Sequence, residues 1–255
     1  MRTTDNTILI TGGGSGIGRR LAEAFHRLGN QVIISGRGQK ALDETTAANA
    51  GMKSVTLDIS DFKSIQSFAA QVAKDHPALN LLINNAGIMQ PEDLLEKPGD
   101  LSTAEKTITT NLLGPIRLTA ALLPLLRKQP RATIMTVSSG LAFVPLAMTP
   151  TYCATKAAIH SYTQSLRYQL KETKVEVIEL IPPYVATTLM GEQQANDPQA
   201  MPLDDFIAEV MSILESQPDV KEVCVKKVHP LRFAAESGQE KYEQFFQQFN
   251  DSMHK

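Results

Sequence analysis

Tryptophan is absent, and cysteine occurs only twice in 255 residues. Cys153 and Cys224 have neither metal-ligand nor disulfide-framework spacing, which excludes a stapled secreted scaffold and makes a reducing, cytoplasmic setting the simplest expectation. No charge of either sign is in excess. The formal net charge is −2 and the basic residues are scattered, which argues against a nucleic-acid footprint and against a membrane-surface patch. No uninterrupted apolar run reaches the ~18 residues of a membrane span. The first residues, MRTTDNTILITGGG, enter a strand pattern with no charged segment ahead of an apolar signal core. The histidines, His26, His76, His160, His229 and His254, are isolated from one another, so each is expected to be a surface or packing residue rather than a metal ligand. No repeat, linker or low-complexity tract interrupts the chain, so one α/β domain over 1–255 is expected.

What is present is an alternation of strand and helix patterns. The run NTILIT leads directly into the glycine-rich turn GGGSGIG, and a helix follows with Leu21, Ala22, Phe25 and Leu28 at helical spacing and Gly29 as its stop. Strand, glycine turn and helix in that order offer backbone N–H groups and a positive helix end to a pyrophosphate. Gly12 permits the tight turn, Gly16 the close approach of phosphates, and Gly18 the packing of helix on strand. The spacing T-G-x-x-x-G-x-G differs from G-x-G-x-x-G, and the lysine and hydroxyl of a P-loop are missing.

The second strand, QVIISGR, ends in Ser35, Gly36 and Arg37 with no carboxylate to accept from a ribose 2′-hydroxyl. An arginine there suits a 2′-phosphate, so NADP(H) is favoured over NAD(H). KALDETTAANAG (helix), KSVTLD (strand), SDFKSIQSFAAQVAKDH (helix) and ALNLLINNAG (strand) continue the pattern and predict a doubly wound parallel sheet. Asp58 closes the third strand and Asn84-Asn85-Ala86-Gly87 the fourth, at the carboxyl ends where ligands gather. Asp58 has an alternative reading as a helix cap, a role open to Ser60 as well.

A long helix is expected over 102–128, with Asn111 inside it. Asparagine is a poor helix former; it either faces solvent, holds a water or opens the helix to a carbonyl contact, and Gly114-Pro115 suits a local distortion. The apolar run ATIMTVSS then reads as a buried strand ending at Ser139. Tyr152 and Lys156 sit four apart on a helix and share a face, so the ammonium can favour the phenolate. Tyr152 is thereby a candidate general acid or base, and Ser139 a hydroxyl that holds the reacting carbonyl oxygen. Y-x-x-x-K alone is usually a solvated pair, so the weight lies in its company.

That company resembles the short-chain dehydrogenase/reductase family over roughly residues 5–190. Thr11-Gly12-x-x-x-Gly16-Ile17-Gly18, Asp58, Asn84-Asn85-Ala86-Gly87, Asn111, Ser139 and Tyr152-x-x-x-Lys156 occur in family order. The resemblance implies a single Rossmann domain with a seven-stranded parallel sheet and helices on both faces. It also implies a catalytic tetrad of Asn111, Ser139, Tyr152 and Lys156. Lys156 then also holds the nicotinamide ribose, Asn111 positions a relay water, and Asp58 with Ile59 meets the adenine. Gly12, Ser15, Gly16, Ile17, Gly18, Arg37, Asn85, Ala86, Gly87, Val185 and Thr187 complete the implied cofactor contacts. The likeness further suggests a homodimer or homotetramer formed through the helices that carry Asn111 and Tyr152.

The chain departs from the family at Pro182-Pro183, where Pro-Gly is usual, and at its end. Residues 188–202 stand where the family places a substrate lid, and Tyr184, Met190, Leu141, Phe143 and Val144 are either an apolar pocket wall or ordinary core. LDDFIAEVMSILES reads as a helix and EVCVKKV as a last strand. The tail over 236–255 reads as an extra helix and resembles the DltE-like branch of the family. Phe245, Phe246 and Phe249 there bury against either a partner subunit or the chain's own sheet. Together these features imply an NADP(H)-dependent oxidoreductase acting on a small-molecule carbonyl/alcohol pair. The alternatives are a non-catalytic dinucleotide sensor, for which an intact Ser139, Tyr152 and Lys156 is unnecessary, and a sugar epimerase or dehydratase, which needs a larger C-terminal domain.

Overall fold

The computed structural model describes residues 1–96 and 99–253, so the last two positions of the tail, His254 and Lys255, lie outside the described residues. In chain order the elements are β1 (Thr7–Thr11), α1 (Gly16–Arg27), β2 (Gln31–Gly36), α2 (Gln39–Ala47), β3 (Lys53–Thr56), α3 (Phe62–Asp75), β4 (Leu81–Asn84) and α4 (Ser102–Ile108). They continue with a π-helical turn (Thr109–Leu113), α5 (Gly114–Leu126), β5 (Ala132–Val137), α6 (Pro150–Gln169), β6 (Val175–Ile181) and α7 (Glu192–Ala195). The last are α8 (Leu203–Ser216), β7 (Glu222–Cys224), α9 (His229–Arg232) and α10 (Gln239–Met253).

All seven strands pair in parallel in the order β3-β2-β1-β4-β5-β6-β7. The central strands β1, β4 and β5 are buried along their whole length because both faces of the sheet are covered there. Ile8 and Ile10 of β1 belong to one core with Leu21 and Phe25 of α1 and Phe206 and Val210 of α8. Leu9 between them joins the opposite core with Ile65, Phe68 and Val72 of α3 and Leu118 and Leu122 of α5. β1 runs between β2 and β4, and the chain winds outward in both directions from there. The carboxyl ends of these strands therefore open into a crevice.

Several local readings are corrected. Neither Asp58 nor Ser60 caps α3: Asp61 does, its side chain accepting from the Lys63 N–H at 2.9 Å. The EVCVKKV segment is strand only over Glu222–Cys224, after which Lys226–Val228 turns as a 3₁₀ helix. The stretch 102–126 is long and apolar enough to cross a membrane by length and composition alone, and in the fold it packs against α3 and α6.

Gly18 is held by geometry. A Cβ there would collide with the Gly12 carbonyl oxygen and the Asn85 amide. Gly18→Ala is expected to cost about 1–3 kcal/mol, the usual range for overpacking, read as a lowered melting temperature together with weakened dinucleotide binding.

Candidate active site

The crevice at the strand ends is a cleft of ≈ 450 Å³ that runs from the glycine turn, through the end of β4, to Ser139, Tyr152 and Lys156. A second lobe of ≈ 270 Å³ continues past Arg37 toward Leu57 and Ile59. Gly12, Ser15, Gly16, Ile17, Arg37, Asn85, Ala86, Gly87, Val185 and Thr187 all line the main cleft, and Ile59 lines the second lobe. Gly18 lies behind the lining, packed against the turn. Gly12 and Gly16 have positive φ, +69° and +49°, a conformation natural to glycine. Thr11 Oγ1 accepts from the N–H groups of Asn85 and Ala86 at 3.0 Å each, and Asn85 Nδ2 returns a 2.9 Å bond to the Thr11 carbonyl. The two loops that form the cleft floor are thus tied together.

Asp58 is half-buried and bonded within its own loop. Its Oδ1 accepts from the Ser60 N–H at 2.9 Å and hydroxyl at 2.6 Å, and these bonds, with Arg37 nearby, hold its carboxyl below the usual range. It does not line either lobe. Arg37 is exposed beside it. Among the lining residues of both lobes the charged ones are Arg37, Lys106 and Lys156, all cations. A cleft with glycine-bare walls and no carboxylate on its lining fits a polyanionic dinucleotide.

At the other end, Ser139 lies just past β5, and its Oγ accepts from the Leu141 N–H at 3.1 Å. Tyr152 and Lys156 stand in the first turns of α6, with Lys156 Nζ 5.5 Å from the centre of the Tyr152 ring. Lys156 Nζ donates to the Val137 carbonyl at 2.8 Å. The expected lowering of the phenol's pKa by Lys156 is not found. Burial, which disfavours the phenolate, pushes Tyr152 well up, and its hydrogen bond with Ser139 opposes this only in part. Burial likewise pulls Lys156 down to about 8.

Asn111 sits within the π-helical turn, so the expected distortion is present. Its amide clamps Ile88, accepting from that N–H and donating to that carbonyl, both at 2.8 Å. It does not line the cleft. It does line an enclosed cavity of ≈ 10 Å³ shared with Asn84, Thr136 and Lys156, a size suited to one water. Asn84 Oδ1, buried without a protein partner, belongs to the same surroundings.

The expected apolar wall is not part of the cleft. Leu141 and Met190 pack on a small core of Met89, Leu146, Tyr152 and Cys153, Val144 is fully buried, and Phe143 turns toward His160. Tyr184 donates to Asp197 at 3.1 Å. The cleft lining also includes Met89, Gln90 and Lys106, which no sequence pattern marked, and Leu189 and Gln194 from the segment expected as the lid. Gln194, on α7 within the 188–202 segment, bonds the Val185 carbonyl at 2.8 Å and Thr187 Oγ1 at 3.2 Å. Glu92, also not anticipated, holds the start of α6 by accepting from the Thr151 N–H at 3.1 Å and hydroxyl at 2.8 Å.

The tail packs on its own chain, and on the active-site segment rather than on the sheet. Phe249 joins the Tyr152–Cys153 core and stacks on Phe245. Asn250 accepts from the Ala147 N–H at 2.6 Å and donates to the Pro145 carbonyl at 3.1 Å, while Tyr242 donates to the Phe143 carbonyl at 3.0 Å. α10 therefore staples the loop between Ser139 and Tyr152. Asn250→Ala should destabilise the protein by about 1–3 kcal/mol, because buried backbone groups lose their partner, and should lower turnover more than dinucleotide affinity. Calorimetry and steady-state kinetics read the two effects.

A parallel sheet with a glycine turn at its switch point, and a Ser–Tyr–Lys wall across the cleft from it, defines a Rossmann-type dinucleotide-dependent oxidoreductase. The sequence model of the short chain dehydrogenases matches residues 6–198. The chain is 40% identical over 253 residues to the uncharacterized oxidoreductase DltE of Bacillus subtilis, covering 98% of each. It is 30% identical over 231 residues to rat dehydrogenase/reductase SDR family member 7B, covering 86% of this chain and 70% of that one. Among solved structures, a short chain dehydrogenase from Burkholderia cenocepacia in complex with NADP superposes with a TM-score of 0.81 at 24% identity, covering 96% of this chain and 98% of that chain. One from Burkholderia phymatum in complex with NAD also gives 0.81, at 21% identity over 93% and 95% of the two chains. The protein belongs to the short-chain dehydrogenase/reductase family of oxidoreductases.

Proposed function

We propose that the protein is an NADP(H)-dependent oxidoreductase that interconverts a small-molecule carbonyl compound and its alcohol. The observation that carries this reading is the convergence of Ser139, Tyr152 and Lys156 on one wall of a cleft whose charged lining is entirely cationic. When bound, the dinucleotide supplies or accepts the hydride. The glycine turn and the positive end of α1 receive the pyrophosphate, Arg37 receives the 2′-phosphate, and Val185 and Thr187 receive the carboxamide. Ser139 donates a hydrogen bond to the substrate oxygen. Tyr152 gives that oxygen its proton; burial keeps the phenol protonated at neutral pH, which suits the reductive direction. Lys156 holds the nicotinamide ribose and, through a water in the cavity beside Asn111 and Asn84, restores the proton to Tyr152.

The test is consumption of NADPH with a panel of aldehydes, ketones and oxo acids. Turnover with at least one class is expected; tight NADPH binding with no consumption across the panel would make the protein a sensor instead. Lys156 also sets a pH dependence. A lysine with its pKa near 8 is charged below that pH and loses its charge above it. The kcat/KM for the dinucleotide, which reports the free enzyme, is therefore expected to be level below about pH 8 and to fall roughly tenfold per unit above it.

A further inference from the structure

One carboxylate beneath the reaction centre has no part in that mechanism. Glu179, in the middle of β6, is 0% exposed, and a charge so placed is costly unless it is paired. Its Oε1 accepts from the Ser138 hydroxyl, and its Oε2 meets His160 Nδ1 at 2.8 Å. Ser138 is the neighbour of Ser139. His160 stands four residues after Lys156 on α6, on the same face. Lys156 in turn bonds the Val137 carbonyl at 2.8 Å. At the end of β5, then, Val137 is held by Lys156, Ser138 is held by Glu179, and Ser139 faces the cleft.

We propose that Glu179 is a positioning residue of the reaction centre, a buried counter-charge that fixes the 137–139 strand end and the Lys156 face of α6 as one unit. The proposal rests on reading Ser139, Tyr152 and Lys156 as that centre. The charged and titratable groups packed around Glu179 are Lys156 and His160 from α6, Glu222 and Cys224 from β7, and Arg232 from α9. Arg232 is taken up by Glu222, at 2.7 and 3.2 Å, and lies 4.6 Å from the centre of the Phe143 ring, which meets His160 edge-on. Potential metal-ligand atoms of His160, Glu179 and Glu222 lie within 4.8 Å of one another, but Ser138 and His160 already engage Glu179, and Arg232 engages Glu222. For Lys156, burial lowers the affinity for its proton, and Glu179 is the charge that works against that loss.

The experiment compares the full-length protein with Glu179→Gln, and with Glu179→Leu should the glutamine variant fail to fold. Lys156 is titrated by competitive acetylation and mass spectrometry between about pH 6 and 10, a readout that needs no turnover. The wild-type midpoint is expected near 8, and that of the variants about 1 unit lower, a tenfold loss of proton affinity. The alkaline limb of kcat/KM moves with it, and kcat falls about tenfold. Ser138→Ala lowers kcat without moving the Lys156 midpoint. An unmoved midpoint in the Glu179 variants overturns the proposal. A shifted midpoint in a protein that consumes no NADPH leaves the network standing and overturns only the reaction assigned to the site.

Discussion

Replacing Tyr152 with phenylalanine is expected to lower turnover by about 10²–10⁴-fold, the usual contribution of a positioned proton donor, while the dissociation constant for NADPH stays within about twofold. The asymmetry follows from how the side chain is held. Tyr152 is buried in a small core with Met89, Leu146 and Cys153, and Lys156 lies 5.5 Å from its ring centre. Phenylalanine keeps the ring, its packing and that cation–π contact, and loses only the hydroxyl. The neighbouring Lys156–Val137 bond does not involve the phenol, so the Lys156 ammonium stays in place. Equilibrium titration with NADPH and steady-state rates on the best carbonyl substrate separate the two quantities. Retention of most of the rate would move the proton donor elsewhere.

The second large effect concerns cofactor choice. Wild-type protein is expected to bind NADPH more tightly than NADH, and Arg37→Gln to weaken NADPH roughly 10- to 100-fold while leaving NADH within about twofold. That range corresponds to the loss of a charge-assisted hydrogen bond worth about 1.5–3 kcal/mol. Arg37 helps to hold the Asp58 carboxyl below its usual range, that carboxylate is engaged by Ser60, and the guanidinium is exposed on the lining of both lobes. The second strand ends without an acidic residue that would repel a 2′-phosphate. NADH binding as tight as NADPH would reverse the assignment.

The parts of the site that were legible in the sequence are those encoded over short spans. The strand–turn–helix around Gly12, Gly16 and Gly18 is one; the four-residue spacing of Tyr152 and Lys156 is another, because helical periodicity alone puts both on one face. Asn111 was legible as a distortion, since a poor helix former beside Gly-Pro predicts a weak point, and a π turn is what formed there. Glu179 was half legible. In VEVIELI the two glutamates, Glu176 and Glu179, are three apart, so a strand turns them to opposite faces. Both faces are covered further along, with Ile178 and Leu180 on the Glu176 face buried, and only packing decides that Glu179 is the covered one. Glu92 left no such mark, for its partner Thr151 lies in a distant segment, while Gln194 lies in the segment expected as the substrate lid and bonds Val185, Thr187 and Met190 close by in the chain. Tyr184, Met190, Leu141, Phe143 and Val144 stayed open between pocket wall and core because hydrophobic character says that a side chain is covered, not by what.

By itself the sequence determined the alternation of strands and helices, the parallel doubly wound sheet, the glycine cradle and the membership of Ser139, Tyr152 and Lys156 in one constellation. The first three follow from backbone periodicity and from steric needs that act within a few residues, and the joining of Ser139 to the Tyr152–Lys156 pair is what the family resemblance implies. Only the tertiary structure decided the protonation balance. Spacing alone lets Lys156 favour the phenolate of Tyr152, yet burial raises the phenol and lowers the ammonium, and desolvation exists only once distant segments close over a side chain. It likewise decided that the C-terminal helix clamps the loop between Ser139 and Tyr152, and that a glutamate from β6 lies under the reaction centre, because both depend on contacts between residues far apart in the chain.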